Sequence, residues 1–224
     1  WDLSRNKQLG QMFENASKFN QPIDNWNISS VLSTYKMFEG AVSFNQPLNK
    51  WNTMSIKNMS FMFKNARTFN RDLNNWNVKS VILMDEMFKN ALNFNKNIND
   101  WKLYCLISCI SMFENAKKFN KPLNKWYVYN LINTKKMFKN AISFNQDINT
   151  WTIYNINNMD YMFENARKYN KPLNNWDTSQ VDSMNGVFKN AKEFNQSINN
   201  WNVLNVTKMA EMFQGAIKFN QPLN

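Results

Sequence analysis

Apolar and polar positions repeat with a period of 25 residues along the whole chain, and a tryptophan marks each period from Trp1 to Trp201. The 224 residues therefore form nine copies of one unit, the last of them one residue short. A fixed period of this size indicates a repeat array in which each unit buries its apolar face against the next. We predict a single solenoid over 1–224, with repeats at 1–25 (a degenerate first copy), 26–50, 51–75, 76–100, 101–125, 126–150, 151–175, 176–200 and 201–224.

The apolar positions inside one unit predict one short strand and one short helix. Leu48, Trp51 and the residue two beyond each tryptophan, such as Val78, alternate like a strand whose Trp and β-branched side chains face inward. The apolar residues that follow lie at i, i+3, i+6 and i+7, which is the stripe of a helix of roughly two to three turns; they are Ile56, Met59, Met62 and Phe63. The predicted fold class is an α/β repeat solenoid of nine coils whose short strands form a parallel sheet.

Two polar positions of the unit predict specific backbone roles. Two residues after Phe63 and its equivalents, the chain carries only Asn or Gly, as at Gly40 and Asn65. Both types tolerate positive φ, which favours a left-handed cap that ends the helix; the alternative is a mid-helix asparagine kept for a side-chain contact. The Asn after each Phe or Tyr, such as Asn70, fills all nine copies. It predicts a ladder of amides that bond each other and the turn backbone.

Composition excludes most catalytic and cofactor chemistry. The chain has no His, the commonest general base and metal ligand, and its 4 Gly are too widely separated for a phosphate-binding loop. The two cysteines, Cys105 and Cys109, occur in one repeat alone and are interpreted as reduced, structural thiols. No paired carboxylates converge, and no apolar run approaches the roughly 18 residues of a membrane span. We expect no enzyme activity, no cofactor, no metal site and no transmembrane segment.

The segments Met112–Trp126 and Met162–Trp176 share the pattern Met-Phe-x-Asn-Ala-x-x-Phe/Tyr-Asn-x-Pro-Leu-Asn-x-Trp. The pattern recurs through all nine repeats and resembles the 25-residue repeat of BspA-like leucine-rich-repeat surface proteins. This resemblance implies a leucine-rich-repeat-like solenoid, a role in adhesion and protein recognition, and a place on a cell surface, outside the cell or in a virus particle. It supplies no catalytic residues. The family's signal peptide and lipid-attachment cysteine are missing from this sequence. The chain opens with Trp1 rather than an initiator Met, so we expect a fragment of a longer protein, or ends that meet another subunit.

The outward position three residues after each tryptophan is the first candidate site. It holds Tyr104, Tyr129 and Tyr154 in three adjacent repeats, with Tyr127 beside them. Tyrosines offer rigid amphipathic contact area and are enriched at binding hot spots. We interpret the four as a recognition patch on the strand face for a protein segment or a glycan. The alternative is cross-strand pairing that only stabilises neighbouring coils.

Charge suggests a second candidate site. The 27 Lys and Arg against 16 Asp and Glu give a net charge of +11. One repeat position carries several of the cations, Arg71, Lys96, Lys121 and Lys171, which predicts a basic edge able to attract an acidic partner. The alternative is a lysine-rich solvated surface. Nucleic acid is a disfavoured partner, because its phosphates would have to follow this one edge.

Two functions of different classes follow from the sequence. The first is a non-enzymatic recognition or adhesion module that binds through the strand face or the basic edge. The second is a structural component of a surface layer or a virus particle. Such a component would associate head to tail through uncapped ends, because the last repeat is as apolar as the internal ones, or dock its flank onto a larger assembly.

Overall fold

The computed structural model describes residues 1–223, in which the coils stack with equivalent residues 25 positions apart. We number the coils 1 to 9 from Trp1, and the positions of each coil from its tryptophan, which is position 1. Parallel β-bridges connect position 8 of each coil to position 8 of the next; the bridged residues are Gln8, Ser33, Asn58, Leu83, Ser108, Asn133, Asn158, Ser183 and Lys208. The chain is therefore a repeat protein whose coils pair in register with their neighbours.

The strand and the helix predicted for each coil are not confirmed. Residues 1–223 contain no α-helix, and their β-structure consists of the single bridging residue of each coil. The bridge at Asn58 falls inside the segment predicted to be helical. The segment predicted to be a strand runs directly into a turn, in which the Ile56 N–H donates to the Thr53 carbonyl at 3.1 Å. Trp51 and Thr53 are nevertheless buried, so the inward direction predicted for these positions is correct.

Two consecutive turns replace the predicted helix. The Met62 N–H donates to the Met59 carbonyl at 3.2 Å, with Phe61 at φ 62° between them. The Ala66 N–H then donates to the Phe63 carbonyl at 3.0 Å, with Asn65 at φ 61°. A four-residue turn with positive φ at its third residue is a type II turn. Because an α-helix needs negative φ at every residue, these two left-handed residues exclude one here.

The backbone of this segment bonds to the next coil rather than to its own following turn. In coil 3, the N–H groups at positions 9, 11, 13 and 15 donate to the carbonyls at positions 8, 10, 12 and 14 of coil 4, over 2.8–3.0 Å; the donors are Met59, Phe61, Phe63 and Asn65. The residues of the apolar stripe are all buried. Their helix-like spacing therefore comes from turns that fold the same side chains inward.

Three columns of aromatic rings fill the core. In six neighbouring pairs of coils the tryptophan rings lie 5.7–6.3 Å apart, centroid to centroid. Each indole from Trp51 to Trp201 also donates to a backbone carbonyl 28 residues earlier, as where Trp101 Nε1 donates to the Leu73 carbonyl at 2.9 Å. The other two columns are the rings at positions 13 and 19, which pack within a coil at 3.8–4.2 Å, as Phe113 does on Phe119. This burial is the main source of stability for a fold with so little regular secondary structure.

Asparagine ladders connect the coils on the outside of the core. The Asn145 N–H donates to Asn120 Oδ1 at 2.9 Å, and the same bond links position 20 of every coil to the next, which confirms the predicted ladder. Position 15 has positive φ throughout, as predicted from its Asn or Gly. The side-chain contact weighed as the alternative exists too, since Asn115 Nδ2 donates to Asn90 Oδ1 at 2.8 Å in a second ladder from Asn65 to Asn165.

Candidate recognition face

The four predicted tyrosines form one continuous exposed array. Tyr104, Tyr127, Tyr129 and Tyr154 are 45–51% exposed. Ring centroids lie 5.9 Å apart between Tyr104 and Tyr127, 6.4 Å between Tyr127 and Tyr129, and 6.0 Å between Tyr129 and Tyr154. The array spans coils 5 to 7.

Turns, and not strands, hold these tyrosines outward, which corrects the predicted strand face. In coil 6 the Leu131 N–H donates to the Val128 carbonyl at 3.0 Å, and Tyr129 is the second residue of that turn. Val128 and Leu131 are buried in the core. Because both ends of the turn are fixed inside, the residue between them is directed into solvent.

The residue at position 2 distinguishes the tyrosine coils from the others. In six coils it is Asn or Asp, whose Oδ1 accepts the backbone N–H of position 4 at 2.9–3.2 Å; these residues are Asp2, Asn27, Asn52, Asn77, Asp177 and Asn202. This bond is an Asx turn. In coils 5 to 7 position 2 is Lys102, Tyr127 and Thr152. Within residues 1–223, the N–H groups of Tyr104, Tyr129 and Tyr154 accordingly have no acceptor.

A shallow groove of about 670 Å³ runs beside the tyrosine array. Its apolar residues come from position 7 of three adjacent coils, Ile82, Ile107 and Ile132, each more than a third exposed. Its polar residues are Cys105, Asn130, Asn155, Asn157 and Gln180. Two of these amides stabilise the turns, since Asn130 Nδ2 donates to the Tyr104 carbonyl at 2.7 Å and Asn155 Nδ2 to the Tyr129 carbonyl at 2.8 Å.

The outward positions 2, 4, 5 and 7 of coils 3 to 8 form a single surface, which we call the tyrosine face. Its charged residues are separated by sign. The cations lie in coils 3 to 5, as Lys57, Lys79 and Lys102, and the anions lie in coil 8, as Asp177 and Asp182; all five are exposed. The Ser179 N–H, which donates to Asp177 Oδ1 at 2.9 Å, lowers the pKa of this carboxyl group and favours its ionised form.

The sequence analysis missed the groove and the charge separation. Both become visible when each outward position is read as a column through the stack, because Ile82, Ile107 and Ile132 occur where other coils have Lys57 or Asp182. The absence of Asn or Asp from position 2 of coils 5 to 7 is visible in the sequence in the same way. This absence could be interpreted only once the structure showed which group that Asn binds in the other coils.

The predicted basic edge lies along position 21, on the same side as the position-20 ladder. Arg71, Lys96 and Lys121 occupy consecutive coils there, whereas Lys171 is separated from them by Gln146. Arg71 Nε donates to the Asn45 carbonyl at 2.6 Å, so this guanidinium also stabilises the coil stack. These cations therefore share one repeat position along the stack, where Arg71 also has a structural role.

The two cysteines have different environments. Cys109 is buried at an inward position, and burial raises the pKa of its thiol well above the usual value. Cys105 is exposed and lines the groove, so the structural role expected of both thiols fits Cys109 alone. Among residues 1–223, no cluster of three or more His, Cys, Asp or Glu is arranged to hold a metal ion.

Comparison with known families matches the chain at four overlapping segments, 1–101, 48–151, 69–175 and 133–224, to the family described as "Mycoplasma protein of unknown function, DUF285". No curated protein and no solved structure gave a match. The described part of the chain has no helix of the length and apolarity needed to cross a membrane. The overlapping matches follow the 25-residue period and together extend over the entire sequence. The chain belongs to the DUF285 family of Mycoplasma proteins.

Proposed function

We propose that this chain is a non-enzymatic recognition module of an adhesion-type protein related to BspA-like surface proteins. The module acts on the outside of a cell or a virus particle and binds a protein segment or a glycan through the tyrosine face. One observation carries the proposal: four exposed tyrosines contact each other in the same three coils that lack the position-2 hydrogen bond.

The missing bond separates this proposal from a purely structural role for the tyrosines. Cross-strand aromatic pairs stabilise neighbouring coils by about 0.2–1 kcal/mol, which would explain the ring contacts. It would not explain why Asn or Asp is absent from position 2 of these coils, since a hydrogen bond contributes about 0.5–1.5 kcal/mol. Sites that give up stability in this way are typical of binding surfaces. Tyrosine arrays are also the common contact residues of binding proteins.

The test combines a binding screen with a triple variant. The wild-type chain is screened against a peptide library and a glycan array, and its ligands are measured again with Tyr104→Ser, Tyr129→Ser and Tyr154→Ser combined. We expect at least about a tenfold loss of affinity, because exposed tyrosines in hot spots contribute more than 1 kcal/mol each. In far-UV and near-UV circular dichroism, the triple variant should keep the melting transition of the wild-type chain. Unchanged binding in a folded triple variant would refute the proposal.

A matched control uses the same position outside the array. Leu204→Ser changes an exposed apolar residue at position 4 of coil 9, outside the tyrosine face. It removes exposed apolar surface but no tyrosine. We expect this variant to keep the affinity, so that an equal loss in control and triple variant would show a general effect of surface hydrophobicity.

A second candidate function is assembly through the end of the stack. Coil 9 exposes Val203, Leu204, Met209 and Leu223. All of these except Leu204 line a hollow of about 290 Å³ over the core. This surface would fit another coil of the same kind, whether from the same polypeptide or from another. Light scattering tests association between separate chains. Assembly is supported if the measured mass rises with concentration and falls to that of the monomer in the Phe219→Lys, Leu223→Lys variant. A monomer at every concentration refutes it.

A further inference from the structure

We infer that the ligand of the tyrosine face is an extended peptide of about seven residues with an acidic end and a basic end. It lies along the solenoid axis, with its acidic side chains over coils 3 to 5 and its basic side chains over coil 8. This inference rests on the proposed function and adds the chemical class and the orientation of the ligand.

The length follows from the stacking. Lys57 and Asp182 share position 7 and mark the two ends of the face, five coils apart. Coils paired through parallel bridges lie about 4.8 Å apart, which places the two ends about 24 Å from each other. An extended peptide advances about 3.3 Å per residue, so about seven residues span the distance.

The charges determine the orientation. The face carries cations only in coils 3 to 5 and anions only in coil 8, and apart from Lys102 its coils 5 to 7 present uncharged side chains, mainly Tyr, Ile and Asn. A segment with one acidic and one basic end places each of its charges opposite a counterion. A segment with two like ends has one end repelled, and like-charge juxtaposition is the usual means by which interfaces reject wrong partners.

The middle of the face favours a polypeptide over a neutral sugar. Ile82, Ile107 and Ile132 give the groove an apolar wall that suits aliphatic or aromatic side chains. The N–H groups of Tyr104, Tyr129 and Tyr154 lack an acceptor within residues 1–223 and can be satisfied by main-chain carbonyls. A neutral glycan would offer no counterion to any of the five charged residues of the face.

The experiment uses three synthetic nonapeptides with the same central sequence, Ile-Tyr-Val-Tyr-Ile. The first has two glutamates at one end and two lysines at the other, the second has glutamates at both ends, and the third has lysines at both ends. Fluorescence anisotropy measures their affinity for the wild-type chain at low and at physiological salt. We expect the first peptide to bind about tenfold more tightly than either of the others, with a difference that shrinks as salt rises.

Charge reversal of one end of the face provides the matched variants. Lys57→Glu, Lys79→Glu and Lys102→Glu together make both ends acidic, so the preferred peptide should become the one with lysines at both ends. Asp177→Lys with Asp182→Lys makes both ends basic and should shift the preference to the peptide with glutamates at both ends. The three lysine side chains are exposed, so the melting temperature of the first variant should change little. The second variant also loses the bonds that Asp177 accepts from the Ser179 N–H and Asp182 from the Thr207 hydroxyl, so its melting temperature should fall, and circular dichroism checks that it stays folded at the assay temperature.

The outcomes separate this inference from the proposed function. If the triple tyrosine variant abolishes binding but charge reversal leaves the order of the peptides unchanged, the oriented peptide is refuted and the recognition face stands. If all three peptides fail on the wild-type chain while a glycan binds through the tyrosines, the same conclusion holds. If peptides bind and the tyrosine variant has no effect on them, the proposed function fails as well.

Discussion

Coils 2 to 4 and coils 5 to 7 have the same interior but different exteriors. In both groups Trp, Phe, Ala and Asn occupy the stacking and ladder positions without exception at positions 1, 13, 16 and 20. At position 2, Asn27, Asn52 and Asn77 of the first group each accept a backbone N–H, whereas Lys102, Tyr127 and Thr152 of the second group do not. At position 4, Ser29, Met54 and Lys79 give way to three tyrosines. The first group shows what stacking requires, and the second shows what can be changed for another purpose.

This separation follows from the architecture. Each coil contacts only its neighbours, so a change at an outward position has no effect on distant coils. The inward positions lack this freedom, because a ring that is missing from one column leaves a cavity in a stack that extends through the whole chain. A function can therefore be added at outward positions without changing the interior of the stack.

The largest expected effect on the free energy of unfolding appears when a buried and an exposed aromatic residue of coils 5 to 7 are compared. Phe113 is fully buried and its ring packs on those of Phe88, Phe119 and Phe138, whereas Tyr129 is exposed. Phe113→Ala should lower the free energy of unfolding by about 3–5 kcal/mol through the cavity it leaves. Tyr129→Ala should lower it by less than about 1 kcal/mol. Urea denaturation followed by circular dichroism measures both, and equal losses would contradict the division into interior and exterior.

The interior could be predicted in part from the sequence. The period, the buried positions, the left-handed residue at position 15 and the ladder at position 20 all follow from which residue types recur. The helix was wrong because consecutive turns bury Ile56, Met59, Met62 and Phe63 as well as a helix would. The positive φ at position 11 could not be predicted from residue type. This position holds residues as different as Phe61, Glu86, Lys136 and Tyr161, and a glycine only at Gly186.

The exterior could be predicted only where one residue type broke the column. Tyr104, Tyr129 and Tyr154 stand out in sequence because they occupy one position of adjacent repeats. The groove combines positions 5 and 7, and the sequence does not show that these lie side by side. The importance of position 2 depends on a hydrogen bond to position 4 that a repeat pattern alone does not reveal.

An intermediate effect is expected at the ladder, which both groups of coils share. Asn120 Oδ1 accepts the N–H of Asn145 and the side-chain amide of Gln146, each at 2.9 Å. Asn120→Ala should lower the free energy of unfolding by about 1–3 kcal/mol, because it leaves a partly buried N–H without a partner. Asn220→Ala is the control, since within residues 1–223 no donor reaches the Asn220 side chain. A control that destabilises as much as Asn120→Ala would show that the ladder bond is not the cause.

The smallest effect tests the comparison most directly, by exchanging position 2 between the two groups. Thr152 Oγ1 is buried without a hydrogen-bond partner among the described residues, and the N–H of Tyr154 lacks an acceptor. Thr152→Asn should supply that acceptor, as Asn77 does for Lys79 at 3.2 Å. It should raise the free energy of unfolding by about 0.5–1.5 kcal/mol, and the reverse exchange, Asn77→Thr, should lower it by a similar amount.

Thr152→Asn should also weaken ligand binding, because it occupies a donor that the face offers to its partner. Urea denaturation measures the free energy of unfolding, and anisotropy titrations measure the ligand affinity. If both exchanges change the stability in the same direction, the hydrogen bond at position 2 does not distinguish the two groups of coils. In that case the tyrosines alone define the site.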